Sequence, residues 1–294
     1  MAATPSSGKR PWIKYHFKTD QGVENFTDAE AKAMTAEDPD FHRRDLRQAI
    51  DGGDHPSWTL RVQIMPFEDA ADYRFNPFDL TKVWPHGDYP LHDVGRLVLD
   101  RNPASFFAEI EQAAFEPANM VPGIGPSPDK MLLGRLFSYP DAHRYRIGTN
   151  YAQLPVNRPH SPVNSYNKDG AMRYEHAGDQ PVYAPNSYGG PQAQPDKYSD
   201  PGWFVEAGEI MRTAYRPHAE DTDFVQVGDF YRKALDDTGR AHLIDNLAGH
   251  LGDPDVTPPV QERALGLWDQ VDPDLDAWLR AAVGQADPVA ADDK

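Results

Sequence analysis

The 294-residue chain is strongly acidic, with 46 Asp and Glu against 29 Lys and Arg and a net charge of -17. A charge of this sign repels phosphate backbones and anionic lipid surfaces, so neither nucleic acid nor a membrane is expected as a partner. Because the chain contains no cysteine, disulfides, thiolate metal ligands and thiol nucleophiles are excluded. No segment has the length of a membrane span, and the start has no signal-peptide apolar run, so we expect a cytoplasmic protein.

The first half of the chain predicts a mostly antiparallel sheet. Alternation of apolar and polar residues, or extended apolar composition, indicates strands at 13–18, 58–65, 96–101 and 151–156. Pro155 favours an edge position for the last of these strands. Helix starts are predicted between the strands, at the capping-box pair Thr27 and Glu30 and at Asn102 and Ser127, each of which directly precedes a proline.

A long loop follows the predicted sheet. Between 155 and 201 the chain carries eight prolines among Asn, Ser, Tyr and Gly, which rules out regular elements. Loops of this length either bind, wrap around other surfaces or remain disordered. Five aromatic side chains that can pack on other surfaces favour wrapping, and disorder is the alternative: Tyr166, Tyr174, Tyr183, Tyr188 and Tyr198.

The last third of the chain predicts a helical region, from about 203 to 284, with a frayed acidic tail after Ala286. Thr257 and Asp272, each before a proline, mark two helix starts. The core candidates are Phe224, Phe230, Leu243, Leu247, Leu265, Trp268 and Leu279. We therefore divide the chain into a sheet region over 1–154, a loop over 155–202 and a helical region over 203–294.

A basic stripe surrounds one tyrosine in the segment RLFSYPDAHRYRIG, residues 135–148. Arg135, Tyr139, His143 and Arg146 are spaced four, four and three residues apart, as neighbours on one face of a helix. A phenol has a pKa of about 10, so keeping it ionised near pH 7 requires about 4 kcal/mol. A guanidinium one turn away supplies about 1 to 3 pKa units, and a bound metal ion supplies the remainder. The stripe predicts a metal-bound phenolate; the alternative is an amphipathic core tyrosine.

This segment resembles the proximal haem-ligand segment of the monofunctional haem catalases, in which tyrosine is the axial ligand. Four further strings resemble the same family: YHFKTDQG from Tyr15, FNPFDLTKVWPHGDYP from Phe75, SPDKMLLGRLF from Ser127 and PVNSYNKDGAMRY from Pro162. The likeness runs from Trp12 onward and is to the small-subunit, NADPH-binding members. It implies an α+β fold: a partial antiparallel barrel with inserted helices, a long wrapping loop and a C-terminal helical region.

The resemblance implies an oxidoreductase that disproportionates hydrogen peroxide to water and dioxygen, protects against oxidative stress and assembles as a homotetramer. It makes Tyr139 the iron ligand and Arg135 the hydrogen-bond donor to the phenolate. Around the porphyrin it places Met131, Ser138, His143 and Arg146. On the surface it assigns NADPH contacts to His16, Lys18, Val83, Trp84 and His86. The alternative for these last residues is that His16 and Lys18 form the solvated face of a strand and that Trp84 belongs to the core.

The resemblance also requires a distal histidine that moves a proton between the peroxide oxygens, and an asparagine that orients the peroxide. Neither segment occurs in this sequence, so no catalytic residue is assigned, and we expect an N-terminally truncated family member whose isolated chain has little activity. Its few strands cannot close a barrel that needs about eight. Two alternatives stay open: a non-enzymatic haem-binding protein, and a remnant that folds only with a partner segment. The type of haem is also open.

Overall fold

A five-stranded antiparallel sheet lies in the first half of the chain. The computed structural model describes residues 2–3, 10–121, 123–160, 167, 169–175, 178–179, 181, 183–189 and 217–285. The strands are β1 Ala2–Ala3, β2 Trp12–Thr19, β3 Ser57–Met65, β4 His92–Val98 and β5 Ile124–Gly125. Their order across the sheet is β4-β3-β2-β1-β5. Consecutive long strands β2, β3 and β4 are therefore neighbours.

Strands β2 and β3 pair along their full length, with Tyr15 opposite Val62 and Phe17 opposite Leu60. The pairing of β3 with β4 shifts between Leu60 and Arg61, so the sheet carries an irregularity there. The strands predicted at 13–18 and 58–65 are confirmed, and β4 begins four residues earlier than the predicted 96–101. The strand predicted at 151–156 is wrong, because Tyr151–Gln153 form a single 3-10 turn.

The covered face of the sheet is the one that carries Gln63 and Met65, although most side chains on this face are polar. Phe17 is 57% exposed and Ile64 43% exposed, whereas Gln63 and Met65 on the opposite face are fully buried. The chain after β3 folds back over this second face, and the Gln63 amide donates to the carbonyls of Trp84, at 3.0 Å, and Tyr89. A buried amide that meets carbonyl partners is stable in a core. The core cluster comprises Trp12, Met65, Ala70, Phe75, Trp84 and Tyr89.

The helices of the first half are α1 Asp28–Glu37, α2 Phe41–Gly52, α3 Asp69–Asp72 and α4 Lys130–Arg146. The capping box at α1 is confirmed, since the Thr27 hydroxyl accepts from the Glu30 amide and the Glu30 carboxylate accepts from the Thr27 amide. The predicted start after Asn102 is wrong: only a π-helical turn at Phe107–Glu111 follows. The Asn102 amide instead donates to the Arg47 carbonyl at 2.9 Å.

The chain divides into two units, one built from 1–21 and 46–216 and the other from 22–45 and the segment from 217 onward. The second unit contains α5 Val225–Asp229, which continues into a π-helical turn, α6 Asp237–Leu251, α7 Pro258–Val271 and α8 Pro273–Gln285. The helix starts predicted at Thr257 and Asp272 are confirmed. Residues 203–216 and the predicted tail after Ala286 lie outside the described residues.

The core of the helical unit contains Tyr231, Leu265, Val271, Leu275 and Leu279. Leu265 and Leu279 are thus confirmed as core residues, and Phe224, Leu243, Leu247 and Trp268 pack partly buried against them. Phe230 was predicted in the core and is exposed. The reason is the π-helical turn at 230–234, because it interrupts the regular helical spacing from which a core position is predicted.

Asp272 connects α7 and α8 as a buried cap. Its carboxylate accepts from the amides of Asp274, at 3.0 Å, and Leu275, at 3.2 Å, and from the Arg232 guanidinium at 2.9 Å. Burial by itself would raise the pKa of Asp272, but the hydrogen bonds from Arg232 and these amides outweigh it and hold that pKa below its usual range. The ionised form is therefore the one that the fold stabilises.

Half of the predicted loop at 155–202 lies outside the described residues, including Tyr166 and Tyr198, so its wrapping stays a prediction. Within the described part, the Tyr174 hydroxyl donates to the Gln153 carbonyl at 2.6 Å. Tyr183 and Tyr188 are exposed. Among the helices in the described part of the chain, none is long and apolar enough to cross a membrane. The three-part division of the chain also stays a prediction.

Candidate cofactor site on helix α4

Helix α4 carries Tyr139, and residues at each end of the helix stabilise that end. Asp129, rather than the predicted Ser127, is the N-cap: its carboxylate accepts from the amides of Met131, at 2.8 Å, and Leu132, at 3.2 Å. Three basic residues lie in the last turn, where positive charge offsets the helix dipole: His143, Arg144 and Arg146. Pro140 lies inside the helix without ending it.

Helix α4 is exposed around much of its circumference, since Leu133, Phe137 and Tyr145 are exposed too, and the face that presents the phenol is open. Tyr139 is 39% exposed, and Met131, Arg135 and Ser138, which share its stripe by helical spacing, are exposed as well. Within the described part of the chain, neither the Tyr139 hydroxyl nor the Arg135 guanidinium makes a hydrogen bond or an ion pair. The interpretation of Tyr139 as a buried core residue is therefore wrong. Tyr139 and Arg135 therefore lie one turn apart on α4. Neither side chain has a polar partner among the described residues.

His143 and Arg146 lie on α4 but contact the protein itself. His143 is 8% exposed. One ring nitrogen, Nδ1, lies 3.3 Å from the Arg146 guanidinium, and the other, Nε2, lies 3.0 Å from the Phe115 carbonyl. Because a guanidinium only donates, Nδ1 must accept and Nε2 must carry the proton that is donated to Phe115. Both ring nitrogens of His143 are therefore occupied by contacts within the protein.

The irregular segment at 111–116 was not found by sequence reasoning. Its Phe115 side chain is 84% exposed, while the Glu116 carboxylate accepts from the Tyr151 hydroxyl. Burial raises the pKa of Glu116, and the charge of Arg144 acts in the opposite direction. The segment has no periodic pattern, and the side chains that bind it lie 28 to 35 residues further along the chain. No local signal pointed to it.

The residues of the open face fit a haem group. The described residues contain no group of three or more His, Asp or Glu that could hold a bare metal ion. A single phenol instead suits an iron whose other ligands come from a macrocycle, since phenolate is a known axial haem ligand. Arg135 lies one turn before Tyr139 on α4, and positive charge near a bound phenolate favours the anionic form of such a ligand. Exposed Met131 and Phe115 add apolar surface nearby.

The candidate dinucleotide residues gather on the buried face of the sheet and beside it. His16 Nε2 lies 2.8 Å from the Gln63 side-chain oxygen, and the His16 and His86 ring centroids are 6.4 Å apart. Burial lowers the pKa of His16, and the positive charges of Lys18, Lys14 and His86 lower it further. Lys18 and Val83 are exposed. The structure thus places the Lys18 ammonium and the imidazoles of His16 and His86 in one patch.

Trp84 occupies a different environment from the other dinucleotide candidates. It is buried in the core cluster, and its indole nitrogen donates to the Pro77 carbonyl at 3.0 Å. The Lys14 ammonium lies 5.7 Å from its ring centroid and donates to the Lys82 carbonyl at 2.7 Å. Burial lowers the pKa of Lys14. Trp84 therefore contributes to the packing beneath the patch.

The arrangement of helices and sheet matches solved catalase structures. A bacterial catalase superposes with a TM-score of 0.84 and 43% identity over 97% of this chain and 58% of that one. Catalase A from Saccharomyces cerevisiae superposes with a TM-score of 0.83 and 36% identity over 96% of this chain and 58% of the other. The fold is a catalase-type fold of mixed helix and sheet with a partial antiparallel sheet.

Sequence comparison gives the family. Residues 2–190 match the catalase family model, and residues 217–283 match the model described as catalase-related immune-responsive. The bromoperoxidase-catalase of Streptomyces venezuelae is 52% identical over 280 residues, which is 94% of this chain and 57% of that protein. The catalase of Methanosarcina barkeri is 52% identical over 261 residues, 88% of this chain and 51% of that protein.

The chain belongs to the catalase family, so the resemblance found in the sequence is confirmed. It spans a little over half the length of the curated relatives that it matches.

Proposed function

We propose that the protein is a haem-dependent oxidoreductase of the catalase type, whose substrate is hydrogen peroxide and whose products are water and dioxygen. The proposal rests on the exposed face of α4, where Tyr139 and Arg135 lie one turn apart in a chain that belongs to the catalase family. In the proposal, Met131 and Ser138 flank the porphyrin on this face. His143 and Arg146 are proposed near its edge.

In the proposed mechanism, Arg135 and Tyr139 act as a pair. With haem bound, the guanidinium would donate to the phenolate oxygen, because positive charge nearby favours the anionic form of such a ligand. Bound haem supplies the iron at which peroxide is reduced and oxidised. The anionic oxygen favours the ferric state of that iron, because negative charge stabilises the higher positive charge.

The isolated 294-residue polypeptide is expected to evolve little oxygen from peroxide. Cleavage of the O–O bond needs proton transfer in the transition state, and this sequence contains no segment like the histidine and asparagine segments of the family. Vigorous oxygen evolution by the purified, haem-loaded polypeptide would contradict this part of the proposal.

The haem site is tested by titrating the purified chain with hemin and recording the Soret band. Tyr139→Phe removes only the proposed ligand oxygen and is expected to shift the band and weaken binding. Tyr145→Phe is the matched control, because Tyr145 lies on the same helix and is 87% exposed. Identical spectra for the wild-type chain and Tyr139→Phe would refute the site.

A second candidate function is haem binding without turnover, by a chain that depends on a partner segment for the complete fold. The apolar face of the sheet favours it: Tyr15, Phe17, Ile64 and Leu97 are exposed there, which is unusual for an isolated domain. In this proposal the sheet is part of a barrel, and the loop at 155–202 wraps around a neighbour. Aggregation of the chain alone, and rescue by a co-expressed strand-rich segment, would support it over the enzyme.

Transfer of haem to apomyoglobin separates a haem carrier from an enzyme. A carrier releases haem readily and shows no peroxide-dependent turnover, whereas an enzyme retains it and consumes peroxide.

We also propose NADPH as a second ligand, bound at the patch of His16, Lys18, Val83 and His86, with Trp84 packed beneath. Positive charge and imidazole donors suit phosphate groups. Fluorescence titration with NADPH tests this, and Lys18→Gln is expected to weaken binding with no change in the Soret band of added hemin. A homotetramer is proposed from the family likeness, and sedimentation velocity tests it.

A further inference from the structure

Segment 111–116 follows the π-helical turn at Phe107–Glu111, and besides the backbone bonds of Gln112 and Ala113 to that turn it is held by side chains. The Arg146 guanidinium donates to the Glu111 carbonyl and, at 2.6 Å, to the Ala113 carbonyl. The His143 imidazole donates to the Phe115 carbonyl, as described above. Every one of these donors comes from the last turn of α4, so the segment is fastened along the end of the helix that carries Tyr139.

Asn157 makes the central contacts of this arrangement. Its side-chain oxygen accepts from the Ala114 amide at 2.8 Å. Its side-chain nitrogen donates to the Gln112 carbonyl at 2.9 Å and to the Tyr151 carbonyl at 3.0 Å. One side chain thereby connects two points of the segment to the turn that follows α4. Since both amide hydrogens and the carbonyl oxygen are used, the orientation of Asn157 is fixed.

The segment is also adjacent to the open face. The His143 ring that binds the Phe115 carbonyl lies 6.1 Å from the Tyr139 ring, measured between centroids. The Phe115 side chain itself is exposed. The His143 ring therefore links the segment to Tyr139, and a group bound at Tyr139 would depend on the position of the segment through this ring.

We propose that Asn157 is a positioning residue for the cofactor, because it fixes segment 111–116, and with it Phe115, beside the Tyr139 face. This inference rests on the proposed haem site and adds a residue that touches neither the iron ligand nor its guanidinium partner. Asn157 acts through the backbone of residues 112 and 114. Asn157 holds segment 111–116 in position, so loss of the Asn157 side chain should speed the release of haem.

Asn150 provides a matched control. It is also an asparagine whose side chain binds backbone carbonyls, at 3.1 Å to Asp169 and 2.9 Å to Ala171, and it is 2% exposed. It fastens a different segment from Asn157. A variant of Asn150 therefore tests whether haem release responds to any lost backbone anchor or only to the anchor of segment 111–116.

The experiment uses the full chain with hemin and measures two quantities. The rate of hydrogen exchange at the Ala114 amide measures how firmly segment 111–116 is held. The rate of hemin transfer to apomyoglobin measures hemin release. Asn157→Ala loses three side-chain hydrogen bonds, and both rates are expected to rise by at least about three- to tenfold, the factor that corresponds to one of them. Asn150→Ala should leave both rates at the wild-type level. Asn157→Asp retains the acceptor for Ala114 and should restore protection of that amide.

The outcomes separate the inference from the proposed function. Equal hemin release by Asn157→Ala and the wild-type chain would overturn the inference and leave the haem site intact. Unchanged Ala114 exchange in Asn157→Ala would also overturn it. Failure of the wild-type chain to change the hemin spectrum would overturn the haem site and the role of Asn157 together. If Asn157→Ala does not fold, then Asn157→Asp, which loses the donors to Gln112 and Tyr151, is expected to release hemin faster on its own.

Discussion

Gly148, directly after helix α4, is a position where any side chain is expected to destabilise the cofactor region. Its φ is +143°, and an added Cβ would lie 2.6 Å from Met172 Cγ and 3.6 Å from Ala171 Cβ. A left-handed backbone costs a residue with a Cβ about 1–2 kcal/mol. Overpacking costs about 1–3 kcal/mol more. Gly148→Ala should therefore lose about 2–5 kcal/mol of unfolding free energy.

The steric and conformational parts of this loss can be separated. Met172→Ala removes the colliding atom, so the double variant Gly148→Ala/Met172→Ala should recover about 1–3 kcal/mol beyond additivity, which is the steric share. The backbone share remains. Urea denaturation followed by circular dichroism measures all three variants. Gly134→Ala is the control within α4, because an added Cβ there meets nothing within 4 Å and should add up to about 1 kcal/mol.

A Gly148→Ala variant within about 0.5 kcal/mol of the wild-type chain, the range of ordinary surface substitutions, would refute this reasoning. A double variant that recovers nothing would refute the steric share alone. Hemin release from Gly148→Ala, measured in parallel, shows whether the end of α4 transmits the disturbance to the Tyr139 face.

Three further predictions concern the helical unit, and urea denaturation checks each. Gly228→Ala should lose about 1–3 kcal/mol despite better helix propensity, because the new Cβ would lie 2.6 Å from the Val271 carbonyl. Asp272→Asn should lose about 1.5–3 kcal/mol at neutral pH. Since the folded pKa of Asp272 is depressed, its contribution in the wild-type chain is present above about pH 4 and disappears as the pH falls through the folded value. Leu279→Ala should lose about 2–5 kcal/mol, because Leu279 is fully buried.

These predictions have their own controls. Gly249→Ala has open space for a Cβ and should stabilise α6 by up to about 1 kcal/mol; a similar gain in Gly228→Ala would contradict the collision with Val271. An acid stability profile of Asp272→Asn that parallels the wild-type profile would contradict the role of the charge. A loss below about 1 kcal/mol in Leu279→Ala would contradict its placement in the core.

The sequence alone determined the features that depend on near neighbours along the chain. The capping box at Thr27 and the helix starts at Thr257 and Asp272 are local hydrogen-bond patterns, and the structure has them where they were predicted. The stripe that joins Arg135 to Tyr139 is likewise fixed by helical spacing. The family was also readable, because its strings are contiguous.

Tertiary structure decided the features that depend on distant residues. The alternation along β3 predicts two faces but does not show which face is covered. The chain that folds back after β3 covers the face of Gln63, because the carbonyls of Trp84 and Tyr89 accept from the Gln63 amide there. Segment 111–116 has no pattern of its own, and its position comes from donors that lie beyond residue 142. Burial and hydrogen-bond satisfaction are properties of the assembled chain, so a linear pattern cannot specify them.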